Sequence, residues 1–540
     1  MAIAACVVAV ILAAILIWQT TVNQKASSTT TCSTELNDAA KNDTTSSSST
    51  PPCPRVPTIR PLPTPMPIEL ENVFKELDTL FTKMVGKNTS LPAISANIFY
   101  QETVLWTGHY GSKSLHLKNS TRPDDNTVYR IGSITKIFPV LLIYKLYENG
   151  VIQSVDDTLS KYIPEFNIRN PFTNENITLR EIASQMSGLP REAPCIYHCE
   201  ETSSSEQLAL IKNRSLILAP WKMPSYSNLG YALLGRSITE TLLNTTFEKW
   251  VQQEILDPLG MNNTGFEITP IVETNMAFPY GNNEQRMAFS KIGWAVPAGG
   301  MYSTIGDLTK LGMMFTQPNN QSIFKPSTVR QMSLPVDVAP DGSTLWGSPF
   351  EMFLSNGFLV RGKVGNIDSY DAYFSFVPQL ELGINVMIST RTFDKTSGMS
   401  AFAIGRKAYD MILPALNRTL FNMDETAVFP ISSKKFTGWY LINQTNMVTL
   451  TKTSYNASIT ESNGLLLFKG LSETAFPFAI KYIGDPLIFQ AEFLSLGMSC
   501  FSIGAGIFAD LHFYPPEDDG LSHGFTLPQW LIVGRRMKNG

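Results

Sequence analysis

Between Thr44 and Pro67 the chain cannot build a core of its own. Thr44 to Thr50 is an unbroken run of Ser and Thr, and eight prolines stand from Pro51 to Pro67. Such composition offers little apolar surface to bury and holds the backbone extended. Residues 19–66 therefore read as a stalk, and folded structure is expected to begin near Pro67.

Ahead of the stalk, Ala2 to Trp18 is a stretch of seventeen uncharged, almost wholly apolar residues. That length lies between a signal-peptide core and a membrane span. No small-residue cleavage site follows cleanly, so residues 1–18 read as an uncleaved membrane anchor, with a cleaved signal as the alternative. Eleven Asn-x-Ser/Thr sequons, from Asn42 to Asn456, suggest passage through a glycosylating lumen. Together these predict a single-pass protein of the secretory pathway, held to the membrane by its N-terminal segment, with a lumenal or extracellular body; secretion is the alternative. An oxidising lumen permits a Cys195–Cys199 bridge, which spacing alone does not prove. A zinc site from Cys195, His198 and Cys199 lacks a fourth ligand.

At 540 residues the chain is too long for one typical core. A net charge of −4 supplies no basic field for nucleic acid. Leu70, Val73, Phe74, Leu77, Leu80, Phe81 and Met84 follow the 3.6-residue period of an amphipathic helix. Ala93–Tyr100 and Thr103–Thr107 read as a hairpin turning at Gln101-Glu102. Thr178 and Glu181 form a capping box before a short helix expected to stop at Gly188. Strands return at Phe353–Val360, Tyr370–Val377 and Gly383–Ser389, and Ala401–Ile412 reads as a closing helix. Strands flanking a helical middle predict an α+β domain, residues 67–416, whose sheet joins distant parts of the chain. Residues 417–540 lose helical periodicity. Short strand-like segments, among them Phe436–Tyr440, Met447–Thr451 and Leu487–Phe493, predict an all-β domain, a small barrel.

The chemistry-bearing pattern is Ser133-Ile-Thr-Lys136, followed at once by the apolar run Ile137–Leu146. Positions i and i+3 share a helix face, so Lys136 can sit beside the Ser133 hydroxyl. Serine needs a neighbouring base to act as a nucleophile, and a desolvated lysine can be one. Further S-x-x-K matches at Ser322–Lys325 and Ser432–Lys435 open no long apolar helix. Tyr226-Ser-Asn228 and Lys363-Val-Gly365 follow in order. The G-x-S-x-G match at Gly520–Gly524 has no following helix and too little chain after it for an acid and a histidine.

With Ser187-Gly-Leu-Pro190 and Pro297-Ala-Gly-Gly-Met-Tyr-Ser-Thr304, these motifs resemble the serine β-lactamase/penicillin-binding-protein superfamily, nearest its class C and esterase branch. The resemblance spans about Phe74 to Asp410 and implies a metal- and cofactor-independent serine hydrolase with a β-lactamase/transpeptidase-like domain. Its substrate would be a small-molecule or peptide ester or amide. Ser133 would be the acyl-forming nucleophile. Lys136 and Tyr226 would share the base role, with Lys363 converging on Tyr226. Asn228 would orient the lysine and contact substrate, and the main chain of Gly365-Asn366 would join Ser133 in an oxyanion hole. Val364 stands where the penicillin-recognising members usually place a threonine, which argues against substrates with a free carboxylate. Pro139, three residues after Lys136, is expected to bend the helix. The rival reading is a catalytically silent ectodomain that acts as a binding or scaffold module.

Overall fold

The computed structural model describes residues 57–85, 91–117, 119–194, 202–281, 285–317, 323–391, 400–426, 432–446, 449–462, 465–470, 478–482, 485–493 and 509–538. The α+β domain is built on an eight-stranded antiparallel sheet. Its strands are β1 (Ala93–Tyr100), β2 (Thr103–Gly111), β5 (Pro335–Val338), β6 (Thr344–Gly347), β7 (Glu351–Ser355), β8 (Phe358–Ile367), β9 (Tyr370–Val377) and β10 (Leu382–Ser389). Their order is β2-β1-β10-β9-β8-β7-β6-β5. The sheet joins the chain's distant parts as expected: β1 lies against β10, with Asn97 opposite Asn385. A separate two-stranded ribbon pairs β3 (Val128–Arg130) with β4 (Tyr302–Thr304).

Both faces of the sheet are covered. On β9, Tyr370, Ala372, Phe374 and Phe376 enter one core, and Tyr373 and Val377 the other, as the two-residue period of a strand requires. The first core is shared with α2 (Ile137–Glu148) and α3 (Ile305–Thr316). The second is closed by α1 (Ile68–Met84), through Leu70, Phe74, Leu77 and Phe81, and by α4 (Ala401–Thr426), through Tyr409, Ile412, Leu413 and Leu416. At about 1.5–3 kcal/mol for each fully buried large apolar side chain, these cores are the main force holding the sheet. The last residues of the Pro-rich stretch join the second core. Ile59 and Leu62 pack against it, and Tyr100 Oη donates to the Arg60 carbonyl at 2.7 Å.

The C-terminal domain is a closed eight-stranded barrel: β11 (Gly438–Thr445), β12 (Lys452–Ser462), β13 (Leu465–Gly470), β14 (Phe478–Tyr482), β15 (Ile488–Phe493), β16 (Ala509–Phe513), β17 (Gly524–Leu527) and β18 (Ile532–Arg536). β18 closes on β11, with Gly534 opposite Ile442. Tyr440 and Ile442 point inward while Trp439 and Leu441 face out, and Phe468, Phe489, Phe513 and Phe525 fill the interior. Ser522 is wholly buried here, its hydroxyl donating to the Gly524 carbonyl at 2.9 Å, so the G-x-S-x-G match is a strand entry rather than a nucleophile elbow.

Several expectations need correction. No helix among the described residues is long and apolar enough to cross a membrane. The anchor reading rested on residues 2–18, which lie outside the described residues, and the single-pass topology and membrane binding through that segment are withdrawn. Phe353–Val360 is not one strand. Asn356 and Gly357, with φ of +48° and +82°, turn the chain between β7 and β8. Asn-Gly is the pair that a two-residue hairpin with positive φ at both central residues favours. The capping box at Thr178 and Glu181 is present, but the helix spans only Leu179–Ala183. Thr449–Thr451 is a turn region, β12 starting at Lys452, and β16 and β17 escaped the strand pattern.

Candidate active site

Ser133 is positioned by a contact between two backbones. Gly132 has φ +47° and starts a 3₁₀ turn, Gly132–Lys136, that passes directly into α2. A Cβ on Gly132 would lie 2.6 Å from the Asn366 nitrogen. One on Gly365 would lie 1.9 Å from the Ile131 carbonyl oxygen and 2.9 Å from the Ser133 nitrogen. Only glycine at both positions lets β8 press against the turn. In a 3₁₀ turn, residues i and i+3 eclipse, which aligns Ser133 and Lys136 more closely than an α-helix would. The turn also answers the expectation of a bend at Pro139. The α-helix begins at Ile137, so Pro139 falls in its first turn, where a missing N–H costs little.

Lys136 is completely buried. Its Nζ donates to Ser133 Oγ at 3.0 Å, Asn228 Oδ1 at 2.7 Å and the Ala298 carbonyl at 2.6 Å. Asn228 turns its other end to Glu192, Nδ2 standing 2.9 Å from both carboxylate oxygens. Lysine only donates and a carboxylate only accepts, so these partners set the amide's orientation. Tyr226 Oη donates to Ser133 Oγ at 2.6 Å. The loop carrying Tyr226 is held from the Gln185–Arg191 side. Ser227 N donates to Gln185 Oε1, Ser227 Oγ to the Pro190 carbonyl, and Asn228 N to the Arg191 carbonyl.

Lys363 is buried on β8, and its Nζ lies 5.3 Å from the centre of the Tyr226 ring. Its ion-pair partner is Glu351, at 2.5 Å from Oε1. The second oxygen of Glu351 accepts from Val364 N at 3.1 Å. Ser133, Arg191, Tyr226, Asn228, Glu351, Lys363, Val364 and Asn366 line one cavity of about 440 Å³.

The charges in this cavity set its protonation states. Burial pulls the Lys136 ammonium below the ordinary lysine value, opposed by Tyr226 and reinforced by Lys363. Burial alone would push the Tyr226 phenol up; the ammonium groups of Lys363 and Lys136 more than offset this and hold it below the ordinary tyrosine value. Burial would depress Lys363 as well, but Glu351 and Tyr226 keep it above the ordinary lysine value.

The structure thus brings together Ser133, Lys136, Tyr226, Asn228, Lys363, Gly365 and Asn366. Cys195 and Cys199 lie outside the described residues. Glu351, Glu192 and Arg191 were not anticipated. Arg191 stacks its guanidinium 5.2 Å from the Tyr226 ring centre and pairs with Glu192 at 3.2 Å. Glu351 had a readable signal in the Asn356-Gly357 turn, which sets β7 antiparallel to β8 and Glu351 opposite Gly362. A Ser-His-Asp line also exists elsewhere. His109 Nδ1 lies 3.0 Å from Ser95 Oγ, and its Nε2 3.0 Å from Asp125 Oδ1. Ser95 is fully buried and bonded to Tyr129, so that hydroxyl is closed to substrate.

A two-face-covered antiparallel sheet with a polar cavity at the β8 edge defines a β-lactamase/transpeptidase-like domain. A family model described as Beta-lactamase matches residues 71–407, and the chain belongs to that family. It is 32% identical over 494 residues to the human protein named Putative beta-lactamase-like 1, covering 88% of this chain and 96% of that one. It is 33% identical over 328 residues to Beta-lactamase-like protein 2 of Dictyostelium discoideum, covering 58% and 59%. The solved octameric penicillin-binding protein homologue from Pyrococcus abyssi matches in fold at TM-score 0.55 and 20% identity, covering 85% of this chain and 99% of that one.

Proposed function

We propose that the protein is a serine hydrolase that cleaves an ester or amide through an acyl-enzyme on Ser133. One observation carries this reading: the Ser133 hydroxyl lies within hydrogen-bond distance of both Tyr226 Oη, at 2.6 Å, and Lys136 Nζ, at 3.0 Å. Each of these groups has its pKa drawn toward neutrality, where a general base works best.

In the first step Ser133 Oγ forms a bond to the substrate carbonyl carbon and its proton passes to Tyr226 or Lys136. The carbonyl π pair moves onto oxygen, which accepts hydrogen bonds from the Ser133 and Asn366 N–H groups. Donors of this kind are worth roughly 3 kcal/mol each. Collapse breaks the bond to the leaving group, which takes the proton. Water then attacks the acyl-enzyme by the reverse path, and Ser133 is regenerated. No metal is invoked in any step.

Labelling with a serine-reactive phosphonate, followed by peptide mapping, tests the reading. The label is expected on Ser133, lost in Ser133→Ala and kept in Ser522→Ala. A wild-type protein that takes no label at Ser133 would refute it.

A further inference from the structure

Strand β7 begins at Glu351, opposite Gly362. From Lys363 to Ile367, β8 pairs only with β9 among the described residues. This leaves the other edge of β8 open along the cavity. N–H groups two residues apart on a strand point to the same edge, so those of Val364 and Asn366 both face the opening. The Asn366 group lies against the Ser133 turn. The Val364 group is taken by Glu351 Oε2, while Oε1 holds Lys363. A carboxylate of the protein's own therefore covers one main-chain donor of the open edge and Lys363, one of the three cations grouped around Ser133 and Tyr226.

The other cations are also engaged. Arg191 is paired with Glu192 and laid over the Tyr226 ring. Lys136 is enclosed by Ser133, Asn228 and Ala298. Conversely, Glu351 and Glu192 each already have a cationic or amide partner. Next to Ser133, a charged substituent would have to displace a partner already in place: the Glu351 carboxylate from Lys363, or the three neutral acceptors that fill the buried Lys136 ammonium, and stripping a buried charge of its partners is costly.

We infer that Glu351 is the specificity-determining residue of the site: it selects substrates that are uncharged on either side of the scissile carbonyl and holds Lys363 in position beside Tyr226. This deepens the hydrolase reading and rests on it. Glu351 acts through its partners rather than on the reacting atoms, so it is a positioning residue. Its anion also opposes the two lysines that lower the Tyr226 phenol.

The test uses the full chain and a matched pair of substrates, 4-nitrophenyl 4-methylbenzoate and 4-nitrophenyl hydrogen terephthalate. These differ at one remote position, a methyl against a carboxylate. Wild type is expected to prefer the neutral ester in kcat/KM. Glu351→Gln is expected to shift that ratio at least about tenfold toward the carboxylate ester, because Lys363 and the Val364 N–H are freed to bind it. The acid limb of its pH–kcat/KM profile is expected to move to lower pH, since the lysines then act on Tyr226 unopposed. Glu351→Asp keeps the charge and is expected to keep the wild-type preference. A simple loss of packing would reproduce neither the shifted ratio in Glu351→Gln nor its retention in Glu351→Asp. A wild type that prefers the carboxylate ester overturns the inference even if no variant folds. So does a folded, Ser133-labelled Glu351→Gln variant with an unchanged ratio. Absence of Ser133 labelling in wild type would instead overturn the hydrolase reading itself.

Discussion

Asp371 Oδ1 accepts a 2.6 Å hydrogen bond from Asn366 Nδ2, and its other oxygen accepts from the Ala401 N–H, at the start of α4, at 2.9 Å. One buried carboxylate thus ties the residue beyond Gly365 to the long helix on the second core. Burial pushes this carboxyl up to about 6, against the hydrogen bonds from Ala401, Asn366 and Ala372. The neutral form is favoured in the folded state, so between about pH 4 and pH 6 the native protein holds a proton that the unfolded chain has lost. The stability contribution is present below pH 4 and is lost as pH rises through about 6. At roughly 1.4 kcal/mol per pH unit it amounts to about 3 kcal/mol. Between pH 4.5 and 7, which covers about 1.5 pH units of that span, Asp371→Asn should flatten the pH dependence of unfolding free energy by about 2 kcal/mol, measured by denaturant titration. Parallel pH profiles in the two proteins would show that Asp371 is charged throughout.

Tyr226→Phe keeps the ring that Arg191 and Lys363 approach and removes only the hydroxyl. Under the proposed mechanism it should slow acylation by roughly 10²–10⁴-fold, with little change in melting temperature. In wild type, the acid limb of acylation should have its midpoint below the ordinary tyrosine value, because Lys363 and Lys136 favour the phenolate. Phosphonate labelling rates across pH measure both. A Tyr226→Phe protein that acylates at the wild-type rate would leave Lys136 as the only base.

Gly365→Ala places a methyl 1.9 Å from the Ile131 carbonyl oxygen, where backbone rather than a flexible side chain must give way. The expected result is destabilisation by about 2–4 kcal/mol and loss of Ser133 labelling even in the fraction that remains folded. Gly342→Ala is the control: its Cβ would meet nothing within 4 Å, so only its positive φ, +67°, opposes the change. That change should cost about 1 kcal/mol and leave labelling intact. Equal effects of the two would argue against the contact between β8 and the Ser133 turn.

Val364→Thr adds a hydroxyl beside a donor already engaged by Glu351. Alone, it should improve acylation by a carboxylate-bearing β-lactam less than about threefold. Combined with Glu351→Gln, the gain should exceed the product of the single effects by about 0.5–3 kcal/mol, since both act on one edge of β8. A double-mutant cycle on acylation rate checks this; strict additivity would show that the two residues do not share a substrate group.

The sequence by itself determined the α+β class of the larger domain, several of its elements and the order of its motifs. Helix α1 was readable because its apolar residues keep the 3.6-residue period, and the β1–β2 hairpin because its strands flank a short polar turn. Ser133 and Lys136 were readable as a pair because three-residue spacing brings side chains together in any helical turn. Only the tertiary structure decided what surrounds them. Glu351 sits twelve residues before Lys363, and no local rule pairs them until the Asn356-Gly357 turn and the register of β7 on β8 are known. Glu192 enters through a loop whose Arg191 carbonyl accepts from Asn228 N, at the start of the short helix Asn228–Ala232 that Ser227 caps. The need for Gly132 and Gly365 comes from two backbones, over two hundred residues apart in the chain, that meet at van der Waals distance. The barrel's closure depends on β18 finding β11 across almost the whole domain. Periodicity and turn chemistry are properties of neighbours in sequence; register, closure and charge pairing belong to neighbours in space.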